Sequence, residues 1–175
     1  QLALEWFGKA AAKENPEALM ALGRYYSQSP AGSADRAKAI EYFTKAASQG
    51  NAEAEYWLGV EELNAAGSRG KAITHLRRSA DAGFPLAQVR LGRLYLTGGD
   101  GVQKDEKRAV ELFRKAADAG NSEALYFMAV CLSKGAGVAA NPAMAAEYAL
   151  KSAESGNSFG QYLYGIFCQE GIGTE

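Results

Sequence analysis

Residues 86–121 read LAQVRLGRLYLTGGDGVQKDEKRAVELFRKAADAGN. Ala87, Leu91 and Tyr95 stand at i, i+4 and i+8, which places them on one face of a helix running near Leu86 to Leu96. The next six residues, Thr97-Gly98-Gly99-Asp100-Gly101-Val102, are dense in glycine and read as a turn. Beyond them Ala109, Phe113, Ala116 and Ala117 form an apolar stripe on a second helix near Lys104 to Ala119. Asp105 lies near its start and Gly120 just past its end, as the helix dipole and the need for a left-handed terminator favour. The stretch predicts a helical hairpin, a helix A followed by a helix B.

The hairpin recurs. Lys115-Ala116-Ala117 has counterparts in Lys9-Ala10-Ala11, Lys45-Ala46-Ala47, Arg78-Ser79-Ala80 and Lys151-Ser152-Ala153, with steps of 36, 33, 37 and 36 residues. Leu91-Gly92 has counterparts in Leu22-Gly23, Leu58-Gly59, Met128-Ala129 and Tyr164-Gly165, with the same steps. Two marks sharing one irregular spacing identify a repeat, and a period in this range is that of a solenoid unit. The joints carry Gly50-Asn51, Gly120-Asn121 and Gly156-Asn157, varied once as Gly83-Phe84. The reading is a half-unit at 1–16, full units at 17–51, 52–85, 86–121 and 122–157, and a half-unit at 158–175. Gln1 is no initiator Met and the first segment reads as mid-helix, so the natural protein is expected to continue on both sides.

Glycine within helix A costs about 1 kcal/mol against alanine, so it needs a packing reason. Without a Cβ it lets a neighbouring helix approach closely, and the alanines of helix B are expected to meet it from the other side. One hairpin cannot bury both its faces; stacking on the next one does, which is why the unit repeats.

Bulk properties agree with a folded all-α chain: 175 residues, 47% hydrophobic, 22% charged, only 4 Pro. The net charge of −1 supplies no field to attract phosphate backbones or anionic membrane, which argues against a nucleic-acid or lipid binder. No apolar run of about 18 residues is present to span a membrane. Cys131 and Cys168 give neither a disulfide framework nor a metal spacing and read as two small buried hydrophobes.

The pattern carried by Ala87, Leu91, Gly92, Tyr95, Gly99, Gly101, Val102, Ala109, Lys115, Ala116, Ala117, Gly120 and Asn121 resembles the Sel1-like repeat, a relative of the tetratricopeptide repeat, over essentially the whole chain. The second unit departs most, with a shorter loop over 64–70 and Glu62 in place of the usual Tyr; the fourth has Ala129 for Gly and Leu132 for Tyr. The resemblance implies a right-handed superhelical solenoid with a concave face lined by A helices. It also implies a scaffold or adaptor that binds other polypeptides, often in bacterial signalling, envelope or host-interaction settings.

Residues for chemistry are sparse. His75, the one histidine, lies in the second unit's helix B with no second His or Cys, or partnered carboxylate, evident at metal spacing. Gly67-Ser68-Arg69-Gly70-Lys71 has Ala72 where a phosphate loop needs Ser or Thr, and reads as a turn. The segment Gly98 to Asp105 has too few oxygens for calcium. Glu53, Glu55, Glu61 and Glu62 read as a solvated helical face. The expectation is no catalysis, no metal and no cofactor.

If the tetratricopeptide-like geometry holds, two columns of helix A residues face the groove. Two positions before the repeat Leu lie Met20, Tyr56, Val89, Tyr126 and Tyr162; two after it lie Arg24, Val60, Arg93, Val130 and Ile166. Tyr, Met and Arg are the types that supply binding hot spots. These ten form the expected partner-binding set, for an extended peptide or a partner's helix; the alternative is that they fill gaps between adjacent A helices. Units one to four carry +1, −1, +2 and −1, which selects no strictly acidic or basic ligand. A polypeptide-binding scaffold is the first reading and a homodimerisation module the second.

Overall fold

The structure, a computed structural model, describes residues 2–29, 33–64 and 69–173. They fall into two compact units, Gln1–Ala82 and Gly83–Glu175. Unit 1 holds α1 (Leu2–Ala11), α2 (Pro16–Ser27), α3 (Ala34–Ser48), α4 (Ala52–Asn64) and α5 (Arg69–Asp81). Unit 2 holds α6 (Pro85–Thr97), α7 (Glu106–Asp118), α8 (Ser122–Lys134), α9 (Pro142–Glu154) and α10 (Ser158–Glu170). Among the described residues the only bridge-type pairing is between Gly99 and Val102, inside the turn joining α6 to α7. The architecture is an all-α repeat of helical hairpins: α2–α3 and α4–α5 in unit 1, α6–α7 and α8–α9 in unit 2. Each hairpin also packs on the neighbouring hairpin or half-unit of its own unit.

The joints explain why helices start where they do. Asn15, Asn51, Asn121 and Asn157 each stand just before an A helix, and their side-chain oxygens accept from Ala18, Ala54, Ala124 and Gly160 N–H at 2.9 Å. Those bonds satisfy donors that the first helical turn leaves open. Phe84 offers no such bond, and Pro85 instead pre-sets the first turn of α6. The residue before each Asn adopts a left-handed conformation: Gly50, Gly120 and Gly156 have φ near +80°, whereas Glu14 takes φ 58° without glycine's freedom. Asp105 and Asn141 cap the B helices α7 and α9.

The repeat glycines of the A helices admit bulk rather than alanine. A Cβ on Gly92 would lie 2.7 Å from Phe113 Cε1, one on Gly59 would lie 2.8 Å from Leu76 Cγ, and one on Gly23 would overlap the Phe43 ring. The large B-helix side chain inserts into the notch that the missing Cβ leaves. The B-helix alanines Ala39, Ala46, Ala109 and Ala116 are buried around it. In the fourth unit both partners change together, Ala129 on α8 and Ala149 on α9, and both are fully buried. Where Ser replaces Ala in the B helices, the buried hydroxyl donates to a backbone carbonyl of the A helix: Ser79 to Ala52 O at 2.6 Å, Ser152 to Ser122 O at 2.8 Å.

Three expectations need correction. Cys131 is buried but Cys168 is exposed, because the latter falls on the outward face of α10. His75 does have carboxylate partners, both from α4: Nδ1 lies 2.5 Å from Glu55 Oε2 and Nε2 3.8 Å from Glu62 Oε2. The glutamates of α4 are not a solvated face either. Glu61 is 4% exposed and pairs with Arg36 of α3, which also bonds the carbonyls of Ser27 and Ser29; Glu55 also faces Arg78 at 3.7 Å. Helix spacing puts Glu55 and Glu62, seven residues apart, on the one side of α4 that faces His75, while Glu53 and Glu61 meet Arg24 and Arg36. Residues 65–68, which carry part of the short second loop and of the weak phosphate-loop pattern, lie outside the described residues.

Candidate functional site

The A helices present the candidate binding face in each unit. Of the ten expected residues, Met20 and Val89 are buried at 3% exposure and belong to the core. At this position of the column the side chains of Met20 and Val89 are enclosed, whereas Tyr162 is not. Tyr56, Val60, Tyr126, Val130 and Ile166 are half-buried. Arg24 and Arg93 are exposed, and Tyr162 is 72% exposed.

The arginines are not idle. Arg24 Nη1 of α2 bonds Glu53 Oε1 of α4 at 3.0 Å, and Glu53 also accepts from Trp57 Nε1 at 3.2 Å. Tyr56 packs edge-on against Trp57, ring centroids 5.4 Å apart. Unit 2 repeats the arrangement. Arg93 Nη1 of α6 lies 3.3 Å from Glu123 Oε1 of α8 and 5.6 Å over the Phe127 ring, and Tyr126 meets Phe127 edge-on at 5.1 Å. The constellation is thus Arg, then Glu about 30 residues later, then Tyr and a large ring three and four residues after that.

A packing chain holds each ring in place. Phe43, seated in the Gly23 notch, stacks under Trp57 at 6.1 Å and 11°. Phe113, seated in the Gly92 notch, stacks under Phe127 at 4.8 Å and 11°. The core glycine of one hairpin therefore sets the ring that the next hairpin shows at the surface. Such parallel, offset contacts suit the ring quadrupoles and fix the ring plane.

Unit 2 adds a third aromatic side chain. Phe159 of α10, 63% exposed, lies 5.7 Å from the Tyr126 ring. Arg93, Glu123, Tyr126, Phe127 and Phe159 line an open hollow of about 230 Å³. Periodicity around the repeat Leu singled out Arg93 and Tyr126 but passed over Glu53, Trp57, Glu123, Phe127 and Phe159. The signal that would have found them is the column one position before the repeat Leu, where Trp57 and Phe127 stand, and the column five before it, where Glu53, Glu123 and Phe159 stand.

Glu53 and Glu123 are held in ion pairs with Arg24 and Arg93. Among the described residues no group of three or more His, Cys, Asp or Glu is placed to hold a metal ion. Among them also no helix is long and apolar enough to cross a membrane.

The family model of the Sel1 repeat matches residues 1–15, 16–51, 52–84, 85–121, 122–157 and 158–175. Among solved structures, the chain is similar to c5321, a protective antigen present in uropathogenic Escherichia coli strains displaying an SLR fold. Identity is 31%, TM-score 0.84, and the match covers 95% of this chain and 36% of that one. It is similar to a Sel1 repeat protein from Oxalobacter formigenes at 30% identity and TM-score 0.85, over 99% of this chain and 70% of the other. The immunity protein Pa5087 from Pseudomonas aeruginosa shares the fold at 22% identity and TM-score 0.62, over 88% of this chain and 58% of that one. The chain thus spans about a third of the length of c5321. A comparison with curated proteins gives no match.

Proposed function

Because the chain belongs to the Sel1 repeat family, whose repeats generally mediate protein–protein interaction and whose members are generally non-catalytic scaffolds, we propose that this segment binds a polypeptide partner on its A-helix faces. The observation that carries the proposal is the recurrence of one surface constellation, Arg24/Glu53/Tyr56/Trp57 in unit 1 and Arg93/Glu123/Tyr126/Phe127 in unit 2. A core needs neither the exposed ion pair nor the half-exposed tyrosine, and exposed pairs of this kind contribute only about 0–1 kcal/mol to folding. Aromatic rings held rigid by stacking offer contact area without a large ordering cost, which is what a binding anchor requires.

The partner-binding set on this reading keeps Arg24, Tyr56, Val60, Arg93, Tyr126, Val130, Tyr162 and Ile166, adds the aromatic and acidic neighbours named above, and drops Met20 and Val89. The chain's balanced charge favours a polypeptide over a nucleic acid. The division into half-units at 1–16 and 158–175 around four full units belongs to the same proposal, with α2 and α4 lending the face of unit 1 and α6 and α8 that of unit 2.

The test is selection of a random peptide library on the immobilised protein and on the Tyr56→Ala/Tyr126→Ala variant. Peptides are expected to be enriched on the former and lost from the latter by about tenfold or more, with unchanged helicity. Equal enrichment on both would move the site elsewhere. Sedimentation over a dilution series reads the self-association alternative, which requires mass to fall with concentration.

A further inference from the structure

Resting on the A-helix face as the place of partner binding, we infer that unit 2 is built for a polypeptide segment in which an apolar side chain, aromatic or leucine, stands beside an acidic one. Two hollows adjoin on this face and share Arg93. The first is the aromatic one of about 230 Å³, walled by Tyr126, Phe127 and Phe159. The second, about 240 Å³, is lined by Arg90, Arg93, Leu94, Thr97 and Asp100.

The first hollow has room for one large side chain; three of its five lining residues are rings and the other two, Arg93 and Glu123, pair with each other, so its occupant is apolar. A cationic occupant is disfavoured, since Arg93 already holds both attractive positions, over the Phe127 ring and against Glu123. The exposed Phe159 ring gains most from being covered; removing apolar area from water contributes roughly 25 cal/mol per Å².

The second hollow is decided by charge. Glu123 compensates Arg93, and Asp100 is engaged in an interaction of its own. Arg90 has no ion-pair partner among the described residues. It stands one position before the repeat Leu, where the neighbouring units have Trp57 and Phe127, so a cation replaces a ring at this one place. Arg90 and Arg93 are separated by three residues on α6, on one side of the helix. A partner carboxylate reaching Arg90 gains a bidentate partner without breaking the Arg93–Glu123 pair.

The probe is a fluorescein-labelled nine-residue peptide with one Phe followed by two Asp in a Gly/Ser background. Its controls replace both Asp by Asn, or Phe by Ala. Fluorescence anisotropy reads affinity, and amide NMR shifts locate the site. The Phe-Asp-Asp peptide is expected to bind saturably with shifts confined to α6, α8 and α10, and each control to bind about three- to fivefold more weakly. Arg90→Ala is expected to bring the acidic peptide down to its Asn control while leaving that control unchanged. Phe159→Ser is expected to remove the advantage of Phe over Ala.

Equal affinity for the Asp and Asn peptides, or an equal loss of both in Arg90→Ala, would overturn the inference. So would a protein that ignores the peptide but self-associates through a surface abolished by Phe159→Ser. Library peptides captured through Tyr126 but lacking an acidic neighbour would also overturn it while leaving the broader binding reading intact.

Discussion

At Gly92 one added methyl group is enough to overpack a hairpin. An alanine Cβ there meets Phe113 at 2.7 Å, in a core where Phe113 cannot retreat because Phe127 stacks on it. Gly92→Ala is expected to destabilise by about 1–3 kcal/mol from overpacking. Phe113→Ala alone is expected to cost about 3–5 kcal/mol from the cavity. Combined, they reproduce the Ala129/Ala149 pairing of the fourth unit, and chemical denaturation should give a loss well below the sum. An additive result would mean that notch and ring do not pack as a pair.

The two cysteines make a second test at this scale. Burial, with the Glu106 carboxylate adding to it, pushes the Cys131 thiol up to about 11. Thiolate is the reactive form, so at pH 8 Cys131 is expected to resist iodoacetamide, while exposed Cys168 is labelled under the same native conditions. Mass spectrometry of the digested product reads both. Equal labelling would show that α8 opens far more readily than its packing implies.

At the scale of the element, the A helices depend on their asparagine caps and α4 on a buried ion pair. Asn121→Ala removes the bond to Ala124 N–H, and the expected loss is about 1 kcal/mol in thermal or denaturant unfolding. Arg36→Ala is expected to cost more, about 2–3 kcal/mol, because it leaves the Glu61 carboxylate enclosed without its cation and frees the Ser27 and Ser29 carbonyls. Arg36→Ala combined with Glu61→Leu should recover part of that loss, since the uncompensated charge is then gone. A surface-like effect below about 0.5 kcal/mol for Arg36→Ala would show that Glu61 is solvated after all.

At the scale of the whole molecule, each unit is a row of hairpins whose contacts join neighbours in sequence, so stability is distributed along the row. Within unit 1, α1 buries only Ala11 and exposes Leu2 and Trp6; within unit 2, α10 buries only Gly160 and Phe167. Native-state hydrogen exchange is expected to show α1 and α10 as the least protected helices of their units and α6 to α8 among the slowest. Uniform protection across all helices would contradict row-like stability.

The hairpin repeat was legible because it rests on local rules. Apolar spacing selects a helical face, glycine and asparagine mark its ends, and both recur in phase from Leu22-Gly23 to Tyr164-Gly165. The sequence by itself therefore determined the number, type and order of the elements and the family. Only the tertiary structure decided which helix A residues remain at the surface. Met20 and Val89 sit in the same column as Tyr162, yet the first two are enclosed and the third is exposed. It likewise decided that the four glutamates of α4 are shared among Arg24, Arg36 and His75, and that a buried phenylalanine in one hairpin orients the ring shown by the next. Those outcomes depend on contacts between residues tens of positions apart, where distance and direction, not spacing along the chain, select the partner.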